Sequence, residues 1–162
     1  MNYHNITKDD MLNGDGLRVV LWVSGCTHHC HQCHNPITWD ITGGIPFDET
    51  AEKELFDALK PSHIDGITFS GGDPLHPMNR DEVGRLIKKF KKEFPSKTAW
   101  LYTGYLWEEI KDVEGISELD VLADGEFQLE LKDERIPWVG SSNQRVIDVQ
   151  KTLQQGEVVL HC

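Results

Sequence analysis

The chain has 162 residues, with 16 Lys and Arg against 27 Asp and Glu and a formal net charge of −11. This length predicts a single domain over residues 1–162, and the negative charge disfavours binding to nucleic-acid phosphates. The longest unbroken apolar run, Val19–Val23, is far shorter than the ~20 residues of a membrane-spanning helix. The N-terminal residues lack the basic and apolar regions of a targeting signal, so we expect a soluble, cytoplasmic protein.

Strand-like segments alternate with segments of helical period along most of the chain. The predicted strands are apolar and β-branched or aromatic, and they cover residues 17–23, 64–69, 98–102, 119–123, 145–149 and 158–160. Two predicted helices start after Asp48 and Asn79 and end near Pro61 and Pro95. Two shorter helices are predicted over residues 106–113 and 148–155.

This alternation is typical of βα units and predicts an α/β fold. A complete eight-stranded barrel typically takes ~250 residues. We therefore expect an open partial (β/α) barrel of about five to six mostly parallel strands, with a small doubly wound sheet as the alternative. In both architectures ligands bind at the carboxyl ends of the strands.

Three of the four cysteines, Cys26, Cys30 and Cys33, lie within eight residues directly after the first predicted strand. This Cys-x3-Cys-x2-Cys loop allows three thiolates to converge on one metal centre. A structural zinc site usually takes two separated pairs of ligands, and no second pair follows here. Three thiolates on a cubane iron-sulfur cluster instead leave one iron open for a substrate or cofactor, so the loop favours a cluster.

A zinc site is the alternative, because histidines lie among the cysteines and one of them could complete a Cys3His site. These histidines are His28, His29, His31 and His34. Taken singly, such residues are most often solvent-facing loop residues. Cys162, at the last position, is another possible fourth ligand, although we interpret it as an incidental thiol.

A second loop, Ser70-Gly71-Gly72-Asp73-Pro74-Leu75, follows the second of the predicted strands. Adjacent glycines allow a backbone to approach a ligand, and Asp73 supplies an anionic acceptor for an ammonium group. A tight strand-to-helix turn is the alternative. Because both loops would lie on one edge of the sheet, their combination predicts a cofactor site.

The two loops resemble those of the radical S-adenosylmethionine superfamily, whose members carry a Cys-x3-Cys-x2-Cys motif and a Gly-Gly-acidic-Pro motif at these places. Four further segments are similar to glycyl-radical activases: Asn-Gly-Asp-Gly-Leu-Arg at 13–18, Tyr-Thr-Gly-Tyr at 102–105, Asp-Gly-Glu-Phe at 124–127 and Trp-Val-Gly-Ser-Ser-Asn-Gln-Arg at 138–145. The resemblance runs from Tyr3 to about Arg145. The chain departs from the family pattern at Asp15 (usually proline), His34 (commonly tyrosine), Glu126 (commonly basic) and Val139 (commonly arginine).

The resemblance implies a fold of the radical S-adenosylmethionine type and a [4Fe-4S] cluster, one per chain, on Cys26, Cys30 and Cys33. It implies that the open iron is chelated by the amino and carboxylate groups of S-adenosylmethionine. The resemblance also implies which other residues contact this cofactor. Gly71, Gly72 and Asp73 would hold the methionine ammonium. The backbone at Gln32, beside Cys33, and the ring of His34 would flank the adenine.

No side chain is implied to be catalytic, because the cluster and S-adenosylmethionine carry the chemistry. An electron from a low-potential donor would produce a 5′-deoxyadenosyl radical. That radical would abstract hydrogen from a glycine of the large subunit of anaerobic ribonucleoside-triphosphate reductase.

Asp124, at the end of a predicted strand, is a further candidate for the cofactor site, with a turn aspartate before Gly125 as the alternative. The alternatives for function are activation of another glycyl-radical enzyme and a non-enzymatic zinc-binding module.

Overall fold

Seven strands form one open, mixed sheet in the computed structural model, which describes residues 1–30 and 36–161. The strands are β1 (Asn2–Asp10), β2 (Arg18–Val23), β3 (Ile45–Pro46), β4 (Gly66–Gly71), β5 (Thr98–Tyr102), β6 (Val121–Asp124) and β7 (Arg145–Asp148). Their order in the sheet is β3-β1-β2-β4-β5-β6-β7. Neighbours among β2, β4, β5 and β6 pair in parallel, whereas β1, β3 and β7 are added at the two ends by antiparallel pairing.

Four α-helices occur in the described part of the chain: α1 (Glu49–Ala58), α2 (Arg80–Glu93), α3 (Trp107–Ile110) and α4 (Val149–Gln155). All four overlap the helices predicted from the sequence. The carboxylates of Asp48 and Asp148 cap α1 and α4 by accepting from the backbone N–H groups of Ala51 at 2.9 Å and Lys151 at 3.0 Å. No helix among the described residues is both long enough and apolar enough to cross a membrane.

The strands predicted over 17–23, 64–69, 98–102, 119–123 and 145–149 are confirmed to within two residues at each end. The segment 158–160 forms only an isolated bridge, between Leu160 and Ile147. Strands β1 and β3 were not predicted from the sequence. Strand β1 is mainly polar and buries only Tyr3 and Ile6, so it lacks the apolar pattern by which the inner strands were found.

The two faces of the parallel strands bury different kinds of side chain. One face carries aliphatic and aromatic residues, among them Val19, Leu21, Phe69 and Leu101, and these form a core cluster with helix residues such as Leu86 and Phe90. On the other face Trp100, Val121 and Val146 form a second, smaller cluster that Trp138 and Val139 cover. The helices thus cover one face, and the segment before β7 covers part of the other.

Arg18 is fully buried on this second face, at the amino end of β2. Its guanidinium donates to the hydroxyls of Thr68 and Thr98 at 2.8 Å each, and to the carbonyl oxygens of Ile67 at 2.8 Å, Thr98 at 2.7 Å and Asp15 at 3.0 Å. Burial lowers the pKa of Arg18 to about 10. Arg18 therefore joins β2, β4 and β5 at the end of the sheet opposite the loops described next.

Candidate cofactor site

A cavity of about 180 Å³ lies at the carboxyl ends of the four parallel strands. Its walls come from the cysteine loop (Cys26, His28 and Cys30), from residues 70–73, 102–104 and 125–127, and from Ala123 and Gln144. The cysteine loop and the glycine loop therefore meet at one edge of the sheet, as the sequence predicts.

Cys26 and Cys30 are both partly buried at this cavity, and neither forms a disulfide. The backbone around Cys26 is fixed by hydrogen bonds to the returning segment, from Gly25 to Thr38 at 2.6 Å and from Cys26 to Trp39 at 3.0 Å. Burial raises the pKa of the Cys26 thiol to about 11. Metal binding requires the thiolate, so iron would have to displace this proton.

The third cysteine of the motif, Cys33, lies outside the described residues, as do Gln32 and His34. Cys162, the other candidate ligand, lies outside them too. Within residues 1–30 and 36–161, no group of three or more His, Cys, Asp and Glu side chains is arranged to hold a metal ion. Of the three predicted cluster ligands, the structure describes two, the thiols of Cys26 and Cys30, which lie on the wall of one cavity. Soft thiolates are the ligands that iron-sulfur clusters require.

The two glycines of the second loop bring that loop against the cysteine loop. A Cβ atom on Gly72 would lie 2.6 Å from the carbonyl oxygen of Gly25 and 2.7 Å from that of Thr38. Gly71 has a φ of +104°, and a Cβ there would lie 2.5 Å from the backbone nitrogen of Val23. From the sequence, these glycines were predicted to allow the approach of a ligand. The structure shows that they first allow the close approach of the chain's own backbone.

The carboxylate of Asp73 is buried, and protein donors surround it. It accepts from the hydroxyl of Thr103 at 2.9 and 3.0 Å, from the backbone N–H groups of Leu75 at 2.8 Å and Gly104 at 3.0 Å, and it lies 2.7 Å from Nε2 of His28. Asp73 thus ties its own loop to the loops after β2 and β5. Its predicted role as acceptor for an ammonium group stays a prediction.

His28 bridges two carboxylates on different loops. Its Nε2 lies 2.7 Å from Asp73 Oδ2 and its Nδ1 lies 2.8 Å from Glu126 Oε1. The side chain is 8% exposed, and the hydrogen bond with Asp73 is the main reason that its pKa is raised to about 9. The expectation that His28 is a solvent-facing loop residue is therefore wrong. With both ring nitrogens engaged, this histidine is also not available as a fourth zinc ligand in this arrangement.

Asp124 belongs to an ion pair and not to the walls of the cavity. Its buried carboxylate lies 2.5 Å from Nη2 of Arg145 and accepts from the backbone N–H of Trp107 at 2.9 Å. The carboxylate joins β6, β7 and the start of α3. The prediction that Asp124 contributes its side chain to the cofactor site is not supported by these contacts.

The segments 124–127 and 138–145 are separate motifs in the sequence, but they form one structural unit. Gln144 donates to the carbonyl oxygen of Gly125 at 3.0 Å, and Asn143 donates to that of Glu126 at 2.8 Å. The Ser141 hydroxyl accepts from the backbone N–H of Gln128 at 3.1 Å. The later segment therefore holds the loop after β6 in place at the rim of the cavity.

Known proteins are similar to this chain over most of its length. A family profile described as a 4Fe-4S single cluster domain matches residues 12–147. A protein of Enterobacteria phage T4 is 44% identical over 146 residues, which are 90% of this chain and 93% of the relative. A protein of Escherichia coli (strain K12) is 41% identical over 150 residues, 90% of this chain and 97% of the relative. One of Haemophilus influenzae is 40% identical over 148 residues, 89% of this chain and 96% of the relative.

The residues that match the profile make up most of the chain, and the profile describes a domain with a single [4Fe-4S] cluster. All three relatives are named anaerobic ribonucleoside-triphosphate reductase-activating protein. Because the similarity extends over about nine-tenths of the chain, the chain belongs to the family of anaerobic ribonucleoside-triphosphate reductase-activating proteins.

Proposed function

We propose that the protein activates an anaerobic ribonucleoside-triphosphate reductase by generating a glycyl radical in its large subunit. The observation that carries the proposal is the meeting of Cys26, Cys30 and the Gly71–Asp73 loop at one cavity, in a chain of this family. Reductive cleavage of S-adenosylmethionine at a [4Fe-4S] cluster would supply the 5′-deoxyadenosyl radical that abstracts hydrogen from the partner's glycine.

The protein's own part in this reaction is binding and orientation. Cys26, Cys30 and Cys33 would hold the cluster and leave one iron open. The loop Gly71–Asp73 would hold the methionine end of S-adenosylmethionine, and Gln32 and His34 would flank the adenine. Support for the first two assignments comes from the shared cavity, whereas Cys33, Gln32 and His34 are assigned from the sequence motif alone.

The fold we propose is the open partial barrel of the radical S-adenosylmethionine type. The four parallel strands and the collection of loops at their carboxyl ends support this assignment. Hydrogen abstraction requires the glycine of the partner to reach the adenosyl carbon, and an open sheet leaves a side by which a loop of a large partner can enter. We expect activity only without oxygen, since oxygen destroys exposed low-potential clusters.

The first experiment is anaerobic reconstitution with iron and sulfide, followed by reduction with dithionite in place of the physiological low-potential donor. We expect iron-sulfur absorbance, and formation of methionine and 5′-deoxyadenosine from added S-adenosylmethionine. Stoichiometric zinc with no cluster and no cleavage would refute the proposal. Mixing with anaerobic ribonucleoside-triphosphate reductase should then give a glycyl-radical EPR signal. A signal only with a different glycyl-radical enzyme would refute the proposed partner.

A further inference from the structure

We infer that His28 is a positioning residue of the cofactor site and that Glu126 holds it in place. The inference rests on the proposed function and adds two residues to it. His28 lies between two of the predicted cluster ligands, two positions from each of Cys26 and Cys30. Its side chain reaches across the cavity to two other loops.

The ring of His28 contacts three loops besides its own. Its Nε2 lies 2.7 Å from Asp73 in the loop after β4, and its Nδ1 lies 2.8 Å from Glu126 in the loop after β6. Its edge meets Tyr105, after β5, with ring centroids 4.6 Å apart. One imidazole thus sets the spacing of the loops that form the cavity.

The orientation of this ring is also fixed sterically. A Cβ atom on Gly104 would lie 2.5 to 2.8 Å from the Cδ2, Cγ and Nε2 atoms of His28, so the ring occupies the space beside this glycine. The next residue, His29, has a φ of +47° and stacks its ring on Trp39 at a centroid distance of 4.4 Å. With both rings held, the backbone between the two cysteines has little freedom to rotate. Residues that orient ligands in this way tune the affinity and activity of metal sites.

Glu126 supplies the second carboxylate that holds the His28 ring. Its Oε1 lies 2.8 Å from Nδ1 of His28, and a carboxylate accepts from a ring N–H. The side chain of Glu126 is 51% exposed, so the pair adds little to the free energy of unfolding. Its backbone is anchored, because Asn143 donates to the Glu126 carbonyl at 2.8 Å. A contact that contributes little stability yet spans the cavity fits a role in orientation.

The test measures S-adenosylmethionine binding by the reconstituted, reduced protein, from the change that the cofactor causes in the EPR spectrum of the cluster. The variants are His28→Gln, Glu126→Ala and the double variant. The controls are Glu130→Ala, which removes a nearby exposed carboxylate, and His63→Gln, which removes a histidine from an exposed pair with Asp9 at 3.3 Å. Iron content and thermal unfolding are measured for each protein.

We expect each single variant to weaken binding of S-adenosylmethionine about tenfold, which is the lower end of the range found for residues that orient metal ligands. Iron content and melting temperature of Glu126→Ala should match those of Glu130→Ala. The double variant should bind no more weakly than His28→Gln alone, because the two residues act through one contact. Binding by Glu126→Ala equal to that of the controls, or fully additive losses in the double variant, would overturn the inference.

Because Glu126 is exposed, its variant still tests the inference if His28→Gln does not fold. In that case a tenfold loss in Glu126→Ala with normal iron content supports the inference, and unchanged binding rejects it. Failure of the proposed function gives a different result. The wild-type protein would then show no cluster, or a cluster whose spectrum does not respond to S-adenosylmethionine.

Discussion

Asn79 donates its side-chain amide to the carbonyl oxygen of Ser24 at 2.8 Å, and so joins the start of α2 to the residue before the cysteine loop. The same amide nitrogen lies 3.3 Å from the carbonyl oxygen of Asp73. Asn79 is fully buried and stands at the N-cap position of α2, yet its side chain makes no capping hydrogen bond. Its position at the helix start was predicted, whereas its role between the two loops was not.

Replacing Asn79 with alanine should lower both stability and cluster incorporation. The change leaves the buried carbonyls of Ser24 and Asp73 without this donor, which should cost about 2 kcal/mol in the free energy of unfolding. Urea denaturation of the cluster-free protein measures this loss. The control is Asp148→Ala, which removes a true helix cap far along the chain and should cost about 1 kcal/mol. Equal iron incorporation by the two variants would contradict the proposed link between Asn79 and the loops.

Adding one methyl group at Gly72 should disrupt the site. In Gly72→Ala the new Cβ would collide with the carbonyl oxygens of Gly25 and Thr38, and both belong to backbone that cannot move aside cheaply. We expect a loss of about 3 kcal/mol in stability and little bound iron. Gly156→Ala is the control, because Gly156 also has a positive φ, +77°, but nothing within 4 Å of the new Cβ. It should lose only about 1 kcal/mol and bind iron normally. A Gly72→Ala protein with full iron content would show that the loops need not pack this closely.

Cys30→Ala should abolish the cluster and all cleavage of S-adenosylmethionine. Two thiolates hold a cubane cluster poorly, so iron, sulfide and absorbance should all fall to background after reconstitution. Cys162→Ala removes a thiol outside the motif and should reconstitute like the wild-type protein. Retained cleavage in Cys30→Ala would defeat the assignment of Cys30 as a ligand. Loss of the cluster in Cys162→Ala would reverse the interpretation of the last residue as incidental.

Arg18→Lys should destabilise the protein despite keeping the charge. A lysine has one ammonium group and cannot reach the five acceptors that the guanidinium of Arg18 contacts. We expect a loss of about 3 kcal/mol in the free energy of unfolding, measured by chemical denaturation. Arg135→Lys is the matched control, because Arg135 is exposed and pairs only locally with Asp133, so its change should stay within about 0.5 kcal/mol. Similar losses in both proteins would mean that the buried contacts of Arg18 contribute little.

Asp124→Asn separates a structural role from a role in cofactor binding. The change weakens the pair with Arg145, and we expect stability to fall by about 2 kcal/mol. The affinity of the folded, reconstituted protein for S-adenosylmethionine should not change, because Asp124 does not line the cavity. EPR titration at a temperature where the variant is folded checks this. A weakened affinity would restore Asp124 as a candidate for the cofactor site.

Local signals explain which parts of the fold and site could be predicted. The parallel strands and α2 were found because apolar residues recur at the spacing of their elements, as at Val83, Leu86 and Phe90. The two loops were found because each motif is contiguous. The contact between His28 and Glu126 spans 98 residues, and that between Asn79 and Ser24 spans 55. No local pattern marks such pairs, since their members become neighbours only after the sheet has formed.

The two ends of the sheet bear on how this protein meets other chains. At one end β3 has only two residues, and the second, Pro46, has no backbone N–H to donate. At the other end the backbone of β7 bonds to the segment after α4, from Asp148 to Val159 at 2.8 Å and from His161 to Val146 at 2.7 Å. Strand β3 pairs only with Asn2 and Tyr3, so the rest of β1, up to Asp10, is an edge that β3 does not cover. The charges of Lys8, Asp9 and Asp10 and the irregular register between Thr7 and Asp10 disfavour the addition of another strand there. A concentrated solution of the protein should therefore resist assembly into extended sheets.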